Sequence, residues 1–374
     1  MQLRYIQYVL DWPADPEIGV PQKVLAQKKA WEDLGVRVDL HVIAPVGFSN
    51  AWLKQTNYVT SYNSSRERLK ARRQVNRRIL HFYKENSTQS IQYRRYGVFS
   101  LSDLFTLFRV PTVLEINTNN KFFYRKKSRA LGFVIDLQER LIARFCLGAC
   151  TVTPELVSLQ KRNLQNKSRC FTNTISEVRQ NVKIIRDWQR PRFLFAGSEN
   201  FPWNGVERIK DLVTGFPEFD FIVAGPIEID LESNNLSKLG VCSKSRMESL
   251  LREVDFGLST LAMEQTGLTE AASLKSRTYL GSGLPVVGGV SDSEIMKIPG
   301  TYFRLTYDSN GVKPTNGDEF RKFVHHNLGK RIDARDLVSL SAPFVEKRRI
   351  QYLDQLLRDR LKTMNSGVVE NGEH

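Results

Sequence analysis

A strand-like apolar run, a helix-like stretch and a second strand-like run recur in the same order in two separate parts of this chain. Residues 3–10 read as a strand, and a loop follows through residues 11–19. Residues 21–34 read as a helix that Gly35 stops, and residues 36–44 as the next strand. Residues 111–116 and 150–153 are further β-rich runs, with a helix expected over 131–145 between them. The rhythm restarts at residues 192–196 and continues through 221–224, 256–259 and 285–288. Strands that alternate with helices must form a parallel sheet covered on both faces. The expected fold class is therefore α/β, with two Rossmann-like domains facing a cleft. At 374 residues the chain is long enough for two such cores. The expected boundaries are 1–175 for the first domain, 176–341 for the second and 342–363 for a closing helix. Residues 364–374 are expected to form a disordered tail. In open α/β sheets ligands sit beyond the carboxyl ends of strands, so the loops after Ala196, Ala224 and Ser259 are the candidate ligand loops.

Residues 270–287 carry the densest chemistry: Glu-Ala-Ala-Ser-Leu-Lys-Ser-Arg-Thr-Tyr-Leu-Gly-Ser-Gly-Leu-Pro-Val-Val. Small residues after Glu270 let a ligand approach the backbone closely. The N–H groups of Ala272, Ser273 and Leu274 are expected at a helix N-terminus, where free donors and the helix dipole favour an anion such as a diphosphate. Lys275 and Arg277 add two cations, and Glu270 is placed to reach what the phosphates carry. An ordinary helix-to-strand connection would also fit this stretch.

The layout resembles the donor-binding motif of retaining glycosyltransferases of the glycosyltransferase-B fold, family-4 type. That motif runs Glu, seven residues, Glu, a small-residue turn and an apolar strand. Residues 270–287 fit it without a gap, but Thr278 stands where the second Glu is usual. In the family that second carboxylate grips the donor ribose. Residues 193–209 resemble the strand and loop that open the family's donor domain, where a Gly-Arg pair and a Lys-Gly pair clamp the diphosphate. Here Gly197 is followed by Ser198 and Gly205 is preceded by Asn204, so both clamp cations are absent. Lys275 and Arg277 are the expected replacements, since Arg holds two phosphate oxygens at once. Trp203 suits either packing of the second domain or stacking on a ligand. Gly19 lies where the family has a glycine loop near the donor phosphates, and residues 342–361 resemble its closing helix. The resemblance implies a nucleotide-sugar substrate, retention of configuration and no metal or other cofactor. No Asp-x-Asp metal motif occurs in the chain. Glu115 and Asn117, at the end of the 111–116 strand, are candidates for the acceptor side or for plain capping.

Charge divides the chain unevenly. Residues 1–175 hold 28 Lys and Arg against 13 Asp and Glu, whereas residues 176–374 hold 27 of each. The whole net charge of +15 therefore belongs to the first half, which points to a polyanionic partner. Residues 66–84 carry eight Lys and Arg with one Glu, and Ala71, Val75, Ile79 and Phe82 form an apolar stripe at helical spacing. Such a helix suits an anionic membrane surface, through Arg72, Arg73, Arg77 and Arg78, or docks on its own domain by the stripe. Residues 121–129, with Phe122, Phe123 and Lys126, mix aromatics and cations as the headgroup layer favours.

No apolar stretch approaches the roughly 20 residues needed to span a bilayer, and the N-terminus does not read as a signal peptide. Cys146, Cys150, Cys170 and Cys242 show no metal-ligand spacing and read as thiols of a reducing compartment. The expected activity is sugar transfer from a nucleotide-sugar to a lipid-linked or glycan acceptor, at the inner face of a membrane in the cytoplasm. Two other classes compete. One is a weak or inactive binding subunit, suggested by Thr278 and the absent clamp cations. The other is nucleic-acid binding, which only the charge suggests and which no recognisable module accompanies.

Overall fold

The structure is a computed structural model that describes residues 2–11, 19–47, 55–178, 188–198, 201–308 and 314–369. The chain divides into two compact units, Met1–Phe171 with Ala342–His374, and Thr172–Ser341. Most of the expected 11–19 loop, residues 179–187 after the expected domain boundary and the final five residues fall outside the described residues.

The first unit runs β1 (Tyr5–Asp11), α1 (Val20–Asp33), β2 (Arg37–Pro45), β3 (Tyr58–Tyr62), α2 (Ser65–Asn86), β4 (Ser90–Arg95) and α3 (Leu101–Arg109). It continues with β5 (Thr112–Ile116), α4 (Asn120–Lys127), α5 (Arg129–Phe145), β6 (Gly148–Thr151), α6 (Pro154–Ser158), α7 (Arg162–Gln165) and β7 (Ser168–Cys170). The seven strands form one sheet in the order β3-β2-β1-β4-β5-β6-β7, with every pairing parallel. Alternate residues of β1 serve opposite faces. Ile6, Tyr8 and Leu10 pack with Trp31 of α1, while Val9 packs with Ala71, Val75 and Ile79 of α2.

The second unit runs β8 (Arg192–Ala196), α8 (Val206–Gly215), β9 (Asp220–Ala224), β10 (Leu236–Lys238), α9 (Lys244–Leu250), β11 (Phe256–Leu258), α10 (Leu274–Gly281), β12 (Val286–Gly288), β13 (Tyr302–Arg304) and α11 (Gly317–Asn327). Its sheet is also parallel, in the order β10-β9-β8-β11-β12-β13. Phe193 and Phe195 face α8 and α11, with Phe193 stacked on Phe256 at 4.9 Å. Leu194 turns to the other face, among Tyr279 and Leu280 of α10. In both sheets the order reverses beside the first strand, between β1 and β4 and between β8 and β11. In open α/β sheets such a reversal is where a crevice forms at the carboxyl ends of the strands.

The last helix, α12 (Ala342–Val369), completes the first unit. Val345, Leu353 and Leu357 enter the first core, and Trp31 Nε1 donates to Glu346 Oε2 at 2.7 Å. The helix runs six residues past the expected end at 363, into the stretch expected as a tail, and no proline interrupts it there.

Of the two readings of α2, the structure favours docking on its own domain. Ala71, Val75 and Ile79 of its apolar stripe pack with Val9, Ile43 and Val110 of its own unit, and the half-buried Phe82 meets the Tyr5 ring edge to face at 5.5 Å, so most of that face is covered. Arg72 is likewise committed: its Nε donates to Asp11 Oδ2 at 2.6 Å and its Nη1 to the Val98 carbonyl at 2.9 Å. Arg78 lies over the Tyr58 ring at 4.2 Å, while Arg73 and Arg77 face solvent. Phe122 is half-buried and Lys126 is exposed; the Phe123 side chain lies outside the described residues. No described helix is long and apolar enough to cross a membrane.

Candidate functional site

The site residues of the second unit gather where its strand order reverses. After β8, the Gly197 N–H donates to the Ala224 carbonyl at 3.0 Å, drawing the loops after β8 and β9 together. The approach is so close that a Cβ on Gly225 would lie 1.9 Å from the Gly197 oxygen, and Gly225 has φ of +123°. Only glycine fits there. The buried Ser198 offers its carbonyl to Asn204 Nδ2 at 2.6 Å, which pins the loop from the inside. Gly205 then starts α8 with φ of +67°.

Opposite this loop stands the head of α10. Thr269–Ala271 is held as a short extension beside Ser291, with the Ala271 N–H donating to the Ser291 carbonyl at 2.9 Å. Glu270 sits half-buried in the middle of that extension. The Ala272 carbonyl accepts from Asn173 Nδ2 at 2.6 Å, and Ser273 caps the helix by accepting from the Lys275 N–H at 3.2 Å. Ser276 Oγ lies 2.6 Å from Ser259 Oγ and ties the first turn to the end of β11. Among the described residues, the N–H groups of Ala272, Ser273 and Leu274 meet no acceptor. They are the orphan donors that a helix start presents to an anion.

Lys275 joins the two sides. Its Nζ donates to Asn204 Oδ1 at 2.7 Å and lies 4.1 Å from the centre of the Phe195 ring. No carboxylate among the described residues pairs with it. Burial pulls its ammonium down to about 7, because nothing charged offsets the lost water. Lys275 is thus a buried amine with no carboxylate partner among the described residues, at the head of the helix whose first N–H groups are unpaired there.

Arg277 has a different role from the one its position suggests. It is 2% exposed and forms a two-pronged pair with Asp292, at 2.7 and 3.2 Å. Its Nε donates to the Asn173 carbonyl at 2.7 Å and its Nη2 to Thr172 Oγ1. Arg277 holds the Thr172–Asn173 segment, α10 and the Asp292 turn together, and all three of its guanidinium nitrogens are engaged in those contacts. Thr278 is exposed, and its hydroxyl bonds back to the Leu274 carbonyl at 3.1 Å. Trp203 is half-buried, stacked on Phe201 at 4.8 Å.

In the first unit, Gly19 caps α1 and its carbonyl accepts from the Lys23 N–H at 3.0 Å. Glu115 is 2% exposed at the end of β5, where it accepts from Lys23 Nζ and from the Tyr8 hydroxyl at 3.0 Å. Burial alone would raise its carboxyl, but Lys23, Arg95 and Arg349 outweigh that and hold it at about 2. Its charge is spent inside the unit. Lys23 Nζ also reaches toward Asn117 Oδ1 at 3.4 Å, while the Asn117 Nδ2 group is buried with no partner among the described residues. Lys23 was invisible as a partner in sequence, because it lies 92 residues from Glu115. Among the described residues, no cluster of His, Cys, Asp and Glu could hold a metal ion.

Solved structures of the same architecture exist. The apo form of the lipopolysaccharide outer core galactosyltransferase WaaB matches 93% of this chain and 99% of its own, with a TM-score of 0.59 at 11% identity. The fold is that of the glycosyltransferase-B class. HepE from Anabaena, in complex with UDP-glucose, matches 97% of this chain and 99% of its own, with a TM-score of 0.53 at 12% identity. A UDP-GlcNAc 2-epimerase from Neisseria meningitidis bound to UDP-GlcNAc shares the fold equally well, with 93% of this chain and 99% of that one covered, a TM-score of 0.53 and 12% identity. No protein-family model matches the chain, and no curated protein matches it either.

Proposed function

We propose that this chain is a glycosyltransferase that moves a sugar from a nucleotide-sugar to a lipid-linked or glycan acceptor, with retention of configuration and without a metal. The observation that carries the reading is the head of α10, where, among the described residues, the N–H groups of Ala272, Ser273 and Leu274 meet no acceptor and Lys275 pairs with no carboxylate but with Asn204 of the loop after β8. A donor diphosphate fits that chemistry. Breaking the glycosidic bond builds negative charge on the leaving phosphate, and fixed N–H dipoles and an ammonium answer it without reorganising. Glu270 then serves the sugar, where its carboxylate offsets the positive charge growing on the ring. The acceptor belongs to the first unit, whose basic charge suits an acidic or membrane-borne molecule at the cytoplasmic face of a membrane.

A screen of UDP-, GDP-, dTDP- and ADP-sugars by thermal unfolding tests the donor site. A ligand at 100 times its Kd adds about 2.7 kcal/mol of apparent stability. Sugar transfer to water or to an acceptor then reads the reaction. If no sugar nucleotide shifts unfolding, the donor site is wrong. Release of an epimerised sugar instead of transfer would reassign the chain to the epimerases. A second reading, a binding subunit with little turnover, is favoured by Thr278, whose hydroxyl is occupied by its own helix. Donor binding without transfer or hydrolysis would select it.

Lys275 gives the site a pH signature. Its amine is half-protonated at about 7 in the free protein. A diphosphate favours the ammonium, so binding above pH 7 must take up a proton. Affinity for UDP is therefore expected to fall by up to about 100-fold between pH 6 and pH 9, since the protonated fraction of the free site drops about ten-fold for each unit above its own value. Calorimetry in buffers of different ionisation heat should register the proton taken up. In Lys275→Gln the pH slope should flatten and the affinity at pH 6 should drop. An unchanged slope would place the diphosphate elsewhere.

A further inference from the structure

Seven large apolar side chains stand exposed on just two helices of the first unit. Leu101, Phe105 and Phe108 recur at helical spacing along α3, with Leu101 85% exposed. On α5, Phe133, Val134, Leu137 and Phe145 are exposed, Phe133 by 72%. The two rows are one surface, because the Phe108 and Phe145 rings meet edge to face at 4.4 Å. The inner side of α5 is satisfied separately by Ile135, Gln138 and Ile142, which are buried. The outer side is thus a second apolar face that the fold does not need.

Cations thread this surface. Arg129, Arg140 and Arg144 share the outer side of α5 with Phe133 and Leu137 at spacings of three and four, and all three are exposed. Arg109 lies over the Phe105 ring at 5.2 Å, and Arg144 over Phe145 at 5.7 Å. The carboxylates of these helices point elsewhere. Asp103 of α3 is buried against Arg94 at 2.6 Å. Asp136 of α5 is paired with Lys121 and with Arg125 at 2.7 Å, and Glu139 lies 4.0 Å from Lys121. The face therefore presents apolar area and positive charge, and the carboxylates of α3 and α5 are committed to other cations.

We propose that the outer face of α3 and α5 docks on an anionic lipid bilayer, the aromatic and aliphatic side chains entering the headgroup layer while the arginines meet lipid phosphates. The combination of apolar insertion with cations is what such a surface requires. A second copy of this chain would bring the same unbalanced cations against each other. Nucleic acid would leave Leu101, Val134 and Leu137 without a stacking partner. The proposal gives the membrane contact of the proposed function a place, distinct from α2. Vesicle binding is read with no donor present, so it stands or falls separately from the transfer reaction.

The test is co-sedimentation of the full chain with phosphatidylcholine vesicles, with and without phosphatidylglycerol, at low and high salt. Binding is expected only to the anionic vesicles and should weaken with salt. Phe105→Asp combined with Leu137→Asp should reduce it at least about ten-fold with thermal unfolding unchanged, since both side chains are exposed. Arg73→Gln with Arg77→Gln, on the exposed side of α2, should change it less than about two-fold; cations on a docking face would lose far more. Three results overturn the proposal. Wild-type protein could ignore anionic vesicles at low salt. The α2 variant could lose binding while the α3/α5 variant keeps it. Or the face could hold a second copy, seen as a concentration-dependent dimer that Leu137→Asp breaks.

Discussion

Replacing Glu270 by Gln is expected to lower turnover by about two to three orders of magnitude, comparable to losing one strong electrostatic contact in a transition state. Under the proposed reaction the sugar ring gains positive charge as its bond to the diphosphate lengthens. Glu270 precedes the open donors of Ala272 and Ser273 by two and three residues, and its backbone is held beside Ser291. The carboxylate and the anion-binding amides are therefore delivered by one rigid segment. Gln keeps the shape and loses the charge, so ground-state affinity for the nucleoside diphosphate should stay within about two-fold, because that contact is made mainly in the transition state. Initial rates and calorimetry on the same variant separate the two quantities. Near-normal turnover would remove Glu270 from the mechanism.

The alternation of strands and helices was legible in sequence because buried parallel strands must be apolar throughout. Residues 192–196 match β8 at both ends, and the 21–34 helix is α1 shifted by one residue. The strands that escaped are short or polar. β4 carries Gln92, Arg94 and Arg95 in the middle of a sheet, which no apolar pattern can reveal. Arg94 is tolerated there because Asp103, nine residues on, receives it at 2.6 Å. The same limit explains the sites. Sequence showed that α2 has an apolar stripe, but what covers the stripe is decided by Val9 and Val110 from other elements. Lys275 and Arg277 look alike on paper as two cations in the first turns of one helix. Their fates diverge because one meets Asn204 and an aromatic ring while the other meets a buried carboxylate.

That divergence predicts the largest stability effect in the second unit. Arg277→Ala removes one partner of a buried ion pair and leaves Asp292 charged, and losses of about 3–5 kcal/mol follow such cuts. The Thr172 hydroxyl and the Asn173 carbonyl also lose their donor. For a domain of this size the midpoint of thermal unfolding should fall by roughly 10 °C. Removing both charges with Arg277→Met and Asp292→Leu should recover a large part of the loss, since well-packed apolar pairs often replace buried ion pairs at little cost. At a temperature where the variant remains folded, affinity for a nucleoside and for its diphosphate should decline together, as expected when a framework residue loosens the site. A phosphate ligand would behave in the opposite way. Unfolding would be nearly unchanged, and the diphosphate would lose much more affinity than the bare nucleoside. The two signatures do not overlap, so one variant measured by calorimetry and thermal unfolding decides whether the guanidinium holds the fold or the ligand. The bidentate geometry with Asp292 requires the first.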